Sequence, residues 1–206
     1  MTARDAILAA LSGDTATPDA IAAHAAALVG QVERPAPAGM LAEAFADALA
    51  KPSVGASFDH VANNHDVPAA VARYLAQHAL PPLVHIACPM IETDWAPLAT
   101  TQHLSIDGGV VVARAVSAVA ESGTLVIDTG PDRPMLAHFL ALHHIVIVHA
   151  ADLVAQLEDI PEPAAIPRSR FWITGVSGTT DIEGQYIRGA HGPRFLHVIL
   201  IGPQPR

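Results

Sequence analysis

At 206 residues the chain is long enough to bury a substantial core within one domain. Its eleven basic and twenty acidic residues leave a net charge of −9, and Lys51 is the one lysine, so it carries no cationic footprint for nucleic acid or for an anionic membrane surface. The single cysteine, Cys88, excludes an internal disulfide and an iron–sulfur cluster held by this chain's own thiolates.

The opening MTARDAILAALSGD places Asp5 among its first apolar residues and has neither a basic n-region nor a long apolar stretch. It reads as neither a signal peptide nor a membrane span, and the chain as cytoplasmic. In TPDAIAAHAAALVG, Thr17 can cap a helix and Pro18 sits at a favoured first position. Ile21, Ala25, Leu28 and Val29 share a face, and Gly30 stops the helix. MLAEAFADALAKP aligns Leu41, Phe45 and Leu49 ahead of Pro52, and DVPAAVARYLAQHALPP aligns Val71, Tyr74, Leu75 and His78 ahead of Pro81 and Pro82. Residues 1–82 are therefore expected to form an N-terminal helical segment packed on a core built from 83–206.

Beyond Pro82 the pattern changes to short β-branched runs: LVHIA, VVVARAVSAVA, TLVID, IVIVHA, FWIT and LHVILI. Runs without polar alternation indicate strands buried on both faces. Helices are expected between some of them, near Ala96 to Thr100, Met135 to Leu142 and Ala151 to Leu157. The fold class this predicts is α/β: a three-layer domain with a central mixed, mostly parallel sheet flanked by helices. Antiparallel pairing is expected around Gly108 to Asp128, and Glu158 to Arg170 reads as a Pro-rich connector.

Chemistry concentrates in TGVSGTTDIEGQYIRGAHGPR, Thr174 to Arg194, where five glycines meet hydroxyls, two carboxylates, two arginines and a histidine. Gly175, Ser177, Gly178, Thr179 and Thr180 form a turn whose small residues and hydroxyls suit an anion, above all if a helix starts there. An ordinary capped strand-to-helix turn selects the same residues. Asp181 and Glu183 would serve as acid and base, as ligands of a hydrated divalent ion, or as loop-orienting acceptors. Arg188 offers a fork for carboxylate or phosphate, and Gly189 and Gly192 frame His191, a proton carrier or a backbone-bonded turn residue.

A second candidate, Glu121, Ser122, Gly123 and Thr124, interrupts two apolar runs. It reads either as a charged group facing a cleft or as a hairpin turn with a solvated glutamate. DTGPDR, with Asp128, Asp132 and Arg133, reads as turn chemistry. His143, His144 and His149 lack HExxH or Cys/His spacing, so no metal site is expected.

TGVSGTTDIE followed by GAHGP and LHVILI, and preceded by AESGTLVI, resembles the lactate-utilization protein C family, the proteins of the LUD domain. The resemblance covers about Leu83 to Gly202, with Val176 and Thr180 standing where the family commonly has proline and alanine. It implies a fold similar to the sugar-phosphate isomerase, CoA-transferase and formyltetrahydrofolate cyclo-ligase group, and a small anionic metabolite as ligand. It further implies a place in oxidising L-lactate to pyruvate beside partner subunits that carry iron–sulfur clusters. Alternatives from other classes are a stand-alone transferase or ligase, with Glu121 as nucleophile or base, and a non-catalytic assembly or regulatory module. No organic cofactor is named by the residues.

Overall fold

The computed structural model describes residues 2–11, 17–28, 39–89, 94–104, 106, 108–180, 182–183, 185–189 and 191–203. Val29 and Gly30, read as the end of a helix, and Asp181, read as an acid or base, lie outside the described residues. The chain divides into two units, Met1–Pro35 and Ala36–Arg206. The first contains α1 (Ala3–Leu11) and α2 (Pro18–Leu28). Thr17 caps α2 as its sequence predicts, its Oγ1 accepting the Ala20 N–H at 3.3 Å. Ile21 and Leu28, read as a packing face, are exposed.

The second unit is organised by a six-stranded sheet in which every pairing is parallel. Its strands are β1 (Ala56–Val61), β2 (Leu83–Ile86), β3 (Ala99–Thr101), β4 (Gly108–Arg114), β7 (Ala141–His149) and β12 (Phe195–Ile201), in the order β1-β12-β7-β4-β2-β3. The interior strands are apolar on both sides because both faces are covered. On one face α4 (Val67–Gln77) packs Val67, Val71, Tyr74 and Leu75 against Val110, Val112, Ile145, Ile147, Ile199 and Ile201. On the other, α3 (Leu41–Ala50) brings Phe45 and Leu49 to Val146, Val148, Leu196, Val198 and Leu200. The two sets alternate along β7 and β12, as a period of two requires.

The expected antiparallel pairing is present in a second sheet rather than in the central one. That sheet orders β8 (Leu153–Val154), β5 (Ser117–Val119), β6 (Thr124–Thr129) and β9 (Ser169–Ile173), and it shares the core of α3. Its β6–β9 pair is fastened by Arg170. The guanidinium donates from Nε to Asp128 Oδ1 at 2.7 Å and from Nη2 to Oδ2 at 2.9 Å. A two-pronged, charge-assisted contact of this kind is stronger than a neutral one. Asp128→Asn should therefore lower unfolding stability by about 1–3 kcal/mol, read as a reduced urea midpoint at unchanged slope.

Three helical expectations are corrected. Ala96 to Thr100 yields a turn and β3, since Pro97 offers no N–H and the Thr100–Thr101 pair favours an extended edge. Ala151 to Leu157 yields β8, where pairing of Leu153 and Val154 with Ala118 and Val119 overrides local helical preference. Met135 to Leu142 yields only α5 (Ala137–Leu140), because Ala141 already begins β7 beside Gly108. A strand unforeseen in the helical reading of 1–82, β1, forms one edge of the central sheet.

Candidate functional site

The turn Glu121–Gly123 and the segment after β9 meet because β6 and β9 are paired, Leu125 opposite Ile173. Beyond that pair Thr124 Oγ1 lies 2.6 Å from Thr174 Oγ1, and Ser122 Oγ lies 2.8 Å from Thr124 Oγ1, so three hydroxyls join the two motifs. The chain then bends at Gly175, whose φ of 94° suits glycine. A Cβ there would lie 2.6 Å from the Val54 carbonyl oxygen. The close approach lets the Val176 N–H donate to that carbonyl at 3.0 Å.

Ser177 ties the next strands of chain together. Its N–H donates to the Pro193 carbonyl at 2.8 Å, its own carbonyl accepts the Gly189 N–H at 2.9 Å, and its Oγ donates to the His191 carbonyl at 2.9 Å. No helix follows. The helix-start reading is corrected to a two-stranded hairpin, β10 (Gly178–Thr180) with β11 (Tyr186–Arg188), in which β-branched Thr179 and Ile187 face each other in register.

These loops edge a cleft of about 420 Å³. Gly175, Ser177, His191, Gly192 and Pro193 line part of it, and the rest comes from His138 and Phe139 of α5, His144 of β7, Trp172 and Ile173 of β9, and Leu196 of β12. His138 Nδ1 and His144 Nε2 are 3.1 Å apart, and both rings are buried. Burial pushes the His138 imidazole down to about 4; burial and the neighbouring His138 push His144 down to about 3, so both are neutral at pH 7. The other ring nitrogens, His138 Nε2 and His144 Nδ1, are buried and have no hydrogen-bond partner among the described residues. A neutral imidazole has one N–H and one acceptor nitrogen, and one proton is shared between the rings. Whichever ring donates to the other, the pair therefore leaves one donor and one acceptor without a partner.

The other predicted residues fall elsewhere. Gly123 abuts Ala48 and Leu49 of α3, which a Cβ would approach to 3.4 Å. Gly178 and Thr179 lie exposed on the hairpin, Thr180 pairs through its backbone with Tyr186, and Glu183 is exposed at the hairpin end. A Cβ on Gly189 would come 2.8 Å from Ser177 Oγ. Arg188 does not line the cleft; its guanidinium lies 5.3 Å from the centre of the Phe195 ring. Glu121 is also outside the lining, and its Oε1 accepts the Leu157 N–H at 3.2 Å.

Sequence reasoning missed His138 and Trp172 and weighed His144 only as a metal ligand. His138 and His144 are six apart, off the helical period, and no single element contains both, because α5 ends and β7 begins between them. Among the described residues no three His, Cys, Asp or Glu side chains converge as metal ligands, and no helix is long and apolar enough to cross a membrane.

The LUD domain model matches residues 100–201, a segment that contains the entire cleft lining. A lactate utilization protein C of Deinococcus radiodurans is 30% identical over 162 residues, covering 72% of this chain and 74% of that protein. The chain belongs to the LUD domain family. A lactate utilization protein C of Geobacillus thermodenitrificans is 29% identical, with 61% of this chain and 58% of that protein aligned. The crystal structure of a DUF162 family protein from Deinococcus radiodurans superimposes with a TM-score of 0.55 at 22% identity, covering 79% of this chain and 96% of that one. At that identity the likeness shows the fold. Within the LUD domain, then, the cleft takes Gly175, Ser177, His191, Gly192 and Pro193 from the dense Thr174–Arg194 segment and none of Glu121–Thr124, and it adds a histidine couple that the sequence reading had not placed there.

Proposed function

We propose that this LUD-domain protein serves lactate utilization, the oxidation of L-lactate to pyruvate, as a cytoplasmic component without an iron–sulfur cluster, beside partner subunits that carry clusters. In this reading its cleft binds a small carboxylate. The relatives' names support the pathway. The observation that carries the site is the His138–His144 couple in the lining of a largely apolar cleft, with a buried nitrogen on each ring that has no partner among the described residues. A buried polar atom without a partner is costly and is relieved by a ligand able to hydrogen-bond there.

A short hydroxy or oxo acid matches this arrangement. Its carbon skeleton would lie against Leu196, Ile173 and Trp172, and its oxygens would satisfy the unpaired donor and acceptor of the histidine couple once the rings turn toward it. Among the described residues no arginine or lysine lines the cleft, so its anionic end would be held by hydrogen-bond donors, with His191 in the lining. The alternative in which Glu121 is the nucleophile gains no support from the geometry, since that carboxylate is engaged with Leu157 outside the cleft.

Thermal unfolding with L-lactate, pyruvate, other carboxylates, nucleotides and CoA esters tests the reading. A short hydroxy or oxo acid should stabilise the protein increasingly with the logarithm of its concentration, by about 2.7 kcal/mol at a hundred times its dissociation constant, or roughly 5–11 °C. Ser177→Ala removes the bond to the His191 carbonyl and should cost about 1 kcal/mol of stability while weakening that ligand shift. A shift given only by nucleotides or CoA esters, or one unchanged in both Ser177→Ala and His191→Ala, would refute the cleft assignment.

A further inference from the structure

The strand order of the parallel sheet singles out a second place. From β2 the chain moves outward to β3, then returns to β4 on the other side of β2 and continues in the opposite direction to β7 and β12. The connections therefore diverge between β2 and β4. In open parallel sheets the crevice outside the carboxyl ends of the strands at such a divergence is where ligands lodge. The histidine cleft is not this crevice, since it is lined from the first half of β7 and the start of β12.

Two hollows meet at the divergence. One, of about 200 Å³, is lined by Pro89 beyond β2, Arg114 at the end of β4, Val116, Arg133 and Asp152. The other, of about 460 Å³, shares Pro89 and includes Cys88, Trp95, Thr100 and Thr101. Arg114 Nη2 is 3.3 Å from Asp152 Oδ2, which balances one cation. The Arg133 guanidinium has no hydrogen-bond or ion-pair partner among the described residues. Among the described residues the smaller hollow is thus lined by two arginines and one carboxylate, with Asp132 the carboxylate of the larger one. A surplus guanidinium at the mouth of a preformed hollow is suited to a planar or tetrahedral oxyanion, because its fork presents parallel N–H donors.

We infer that the crevice between the carboxyl ends of β2 and β4 is a second small-molecule site, distinct from the histidine cleft, that takes an acid by its carboxylate or phosphate head. Arg133 binds the head, and Arg114, steadied by Asp152, flanks it. The remainder of the molecule extends past Pro89 into the hollow beside Trp95 and the Thr100–Thr101 pair. The turn sequence DTGPDR, which composition alone explains as turn chemistry, is on this account what delivers Arg133 to the crevice.

Calorimetric titration of the full chain with inorganic phosphate, pyruvate and 3-phosphoglycerate, at matched ionic strength, tests the inference. At least one of the three should bind saturably. A response to phosphate and 3-phosphoglycerate identifies a phosphate head, and a response to pyruvate and 3-phosphoglycerate a carboxylate head. Arg133→Gln should weaken that binding about tenfold or more, whereas Ser177→Ala, in the other cleft, should leave it unchanged. Since the Arg133 side chain has no hydrogen-bond or ion-pair partner among the described residues, the variant should retain the thermal midpoint of the unsubstituted protein. Absence of saturable binding of all three probes would overturn the inference. So would equal affinity in Arg133→Gln, or binding lost in Ser177→Ala but retained in Arg133→Gln.

Discussion

Gly175→Ala should be among the most damaging single substitutions in the LUD domain, lowering stability by about 3 kcal/mol or more and the thermal midpoint by roughly 6–12 °C. Two costs act together. A φ of 94° is a conformation that alanine adopts only with strain. The added methyl would also lie 2.6 Å from the Val54 carbonyl oxygen and 2.8 Å from the Val54 Cα. Both are backbone atoms, so no rotamer change relieves the overlap. The chain must move, and moving it breaks the Val176–Val54 hydrogen bond. Gly130→Ala is the control, because nothing lies within 4 Å of its added carbon. Equal midpoints for the two variants would show that the approach of Gly175 to Val54 does not exist in solution.

Acid should unfold the protein well above the range in which its carboxylates titrate. Burial holds His138, His143 and His197 down at about 4 and His144 at about 3, against an ordinary value of 6.5. His143 also feels the neighbouring His78, whereas Asp59 partly offsets the effect on His197. Below pH 6.5 the unfolded chain binds protons at these sites and the folded chain does not, so stability falls as pH falls towards 4. Each buried imidazole contributes a slope of up to about 1.4 kcal/mol per pH unit. Together they should remove about 7 kcal/mol between pH 7 and pH 5, comparable with the whole stability of many domains. Urea unfolding at pH 5, 6 and 7 measures this directly. His143→Gln, which keeps a polar group beside the Tyr74 hydroxyl bonded to His143 Nδ1, should flatten the slope by up to one proton. A stability constant across that range would mean that the four rings are not buried as neutral imidazoles.

The interior of the fold was legible because it is written in unbroken apolar runs. IVIVHA and LHVILI are strands that must satisfy two covered faces, and hydrophobicity alone identifies them. The edges were less legible. β1 carries Ser57, Asp59 and His60 among its six residues, since only part of it is covered, and the three-residue β3 and two-residue β8 are defined by their partners rather than by their own composition. The candidate site divides in the same way. Gly175, Ser177, His191 and Gly192 were found because a tight polar loop needs small residues in sequence. The His138–His144 couple was missed because its meeting depends on where a single helical turn gives way to a strand. Arg188 was assigned to a ligand on its charge, yet an exposed guanidinium beside Phe195 finds an aromatic face within reach.

The row of hydroxyls from Ser122 through Thr124 to Thr174 behaves as a set of coupled rotors. Thr124 is buried, and its one proton can point toward only one neighbour. If both neighbours donated to it, that proton would be left unpaired at a cost of about 1–3 kcal/mol. Two settings remain, in which the row points wholly one way or wholly the other. Whatever fixes the proton at Thr174, beside the glycine bend of the cleft, therefore fixes the proton at Ser122, beside Glu121. Two turns whose linked threonines stand 50 residues apart in the chain thus share a single binary state, passed between them by reorientation alone and without any movement of the backbone.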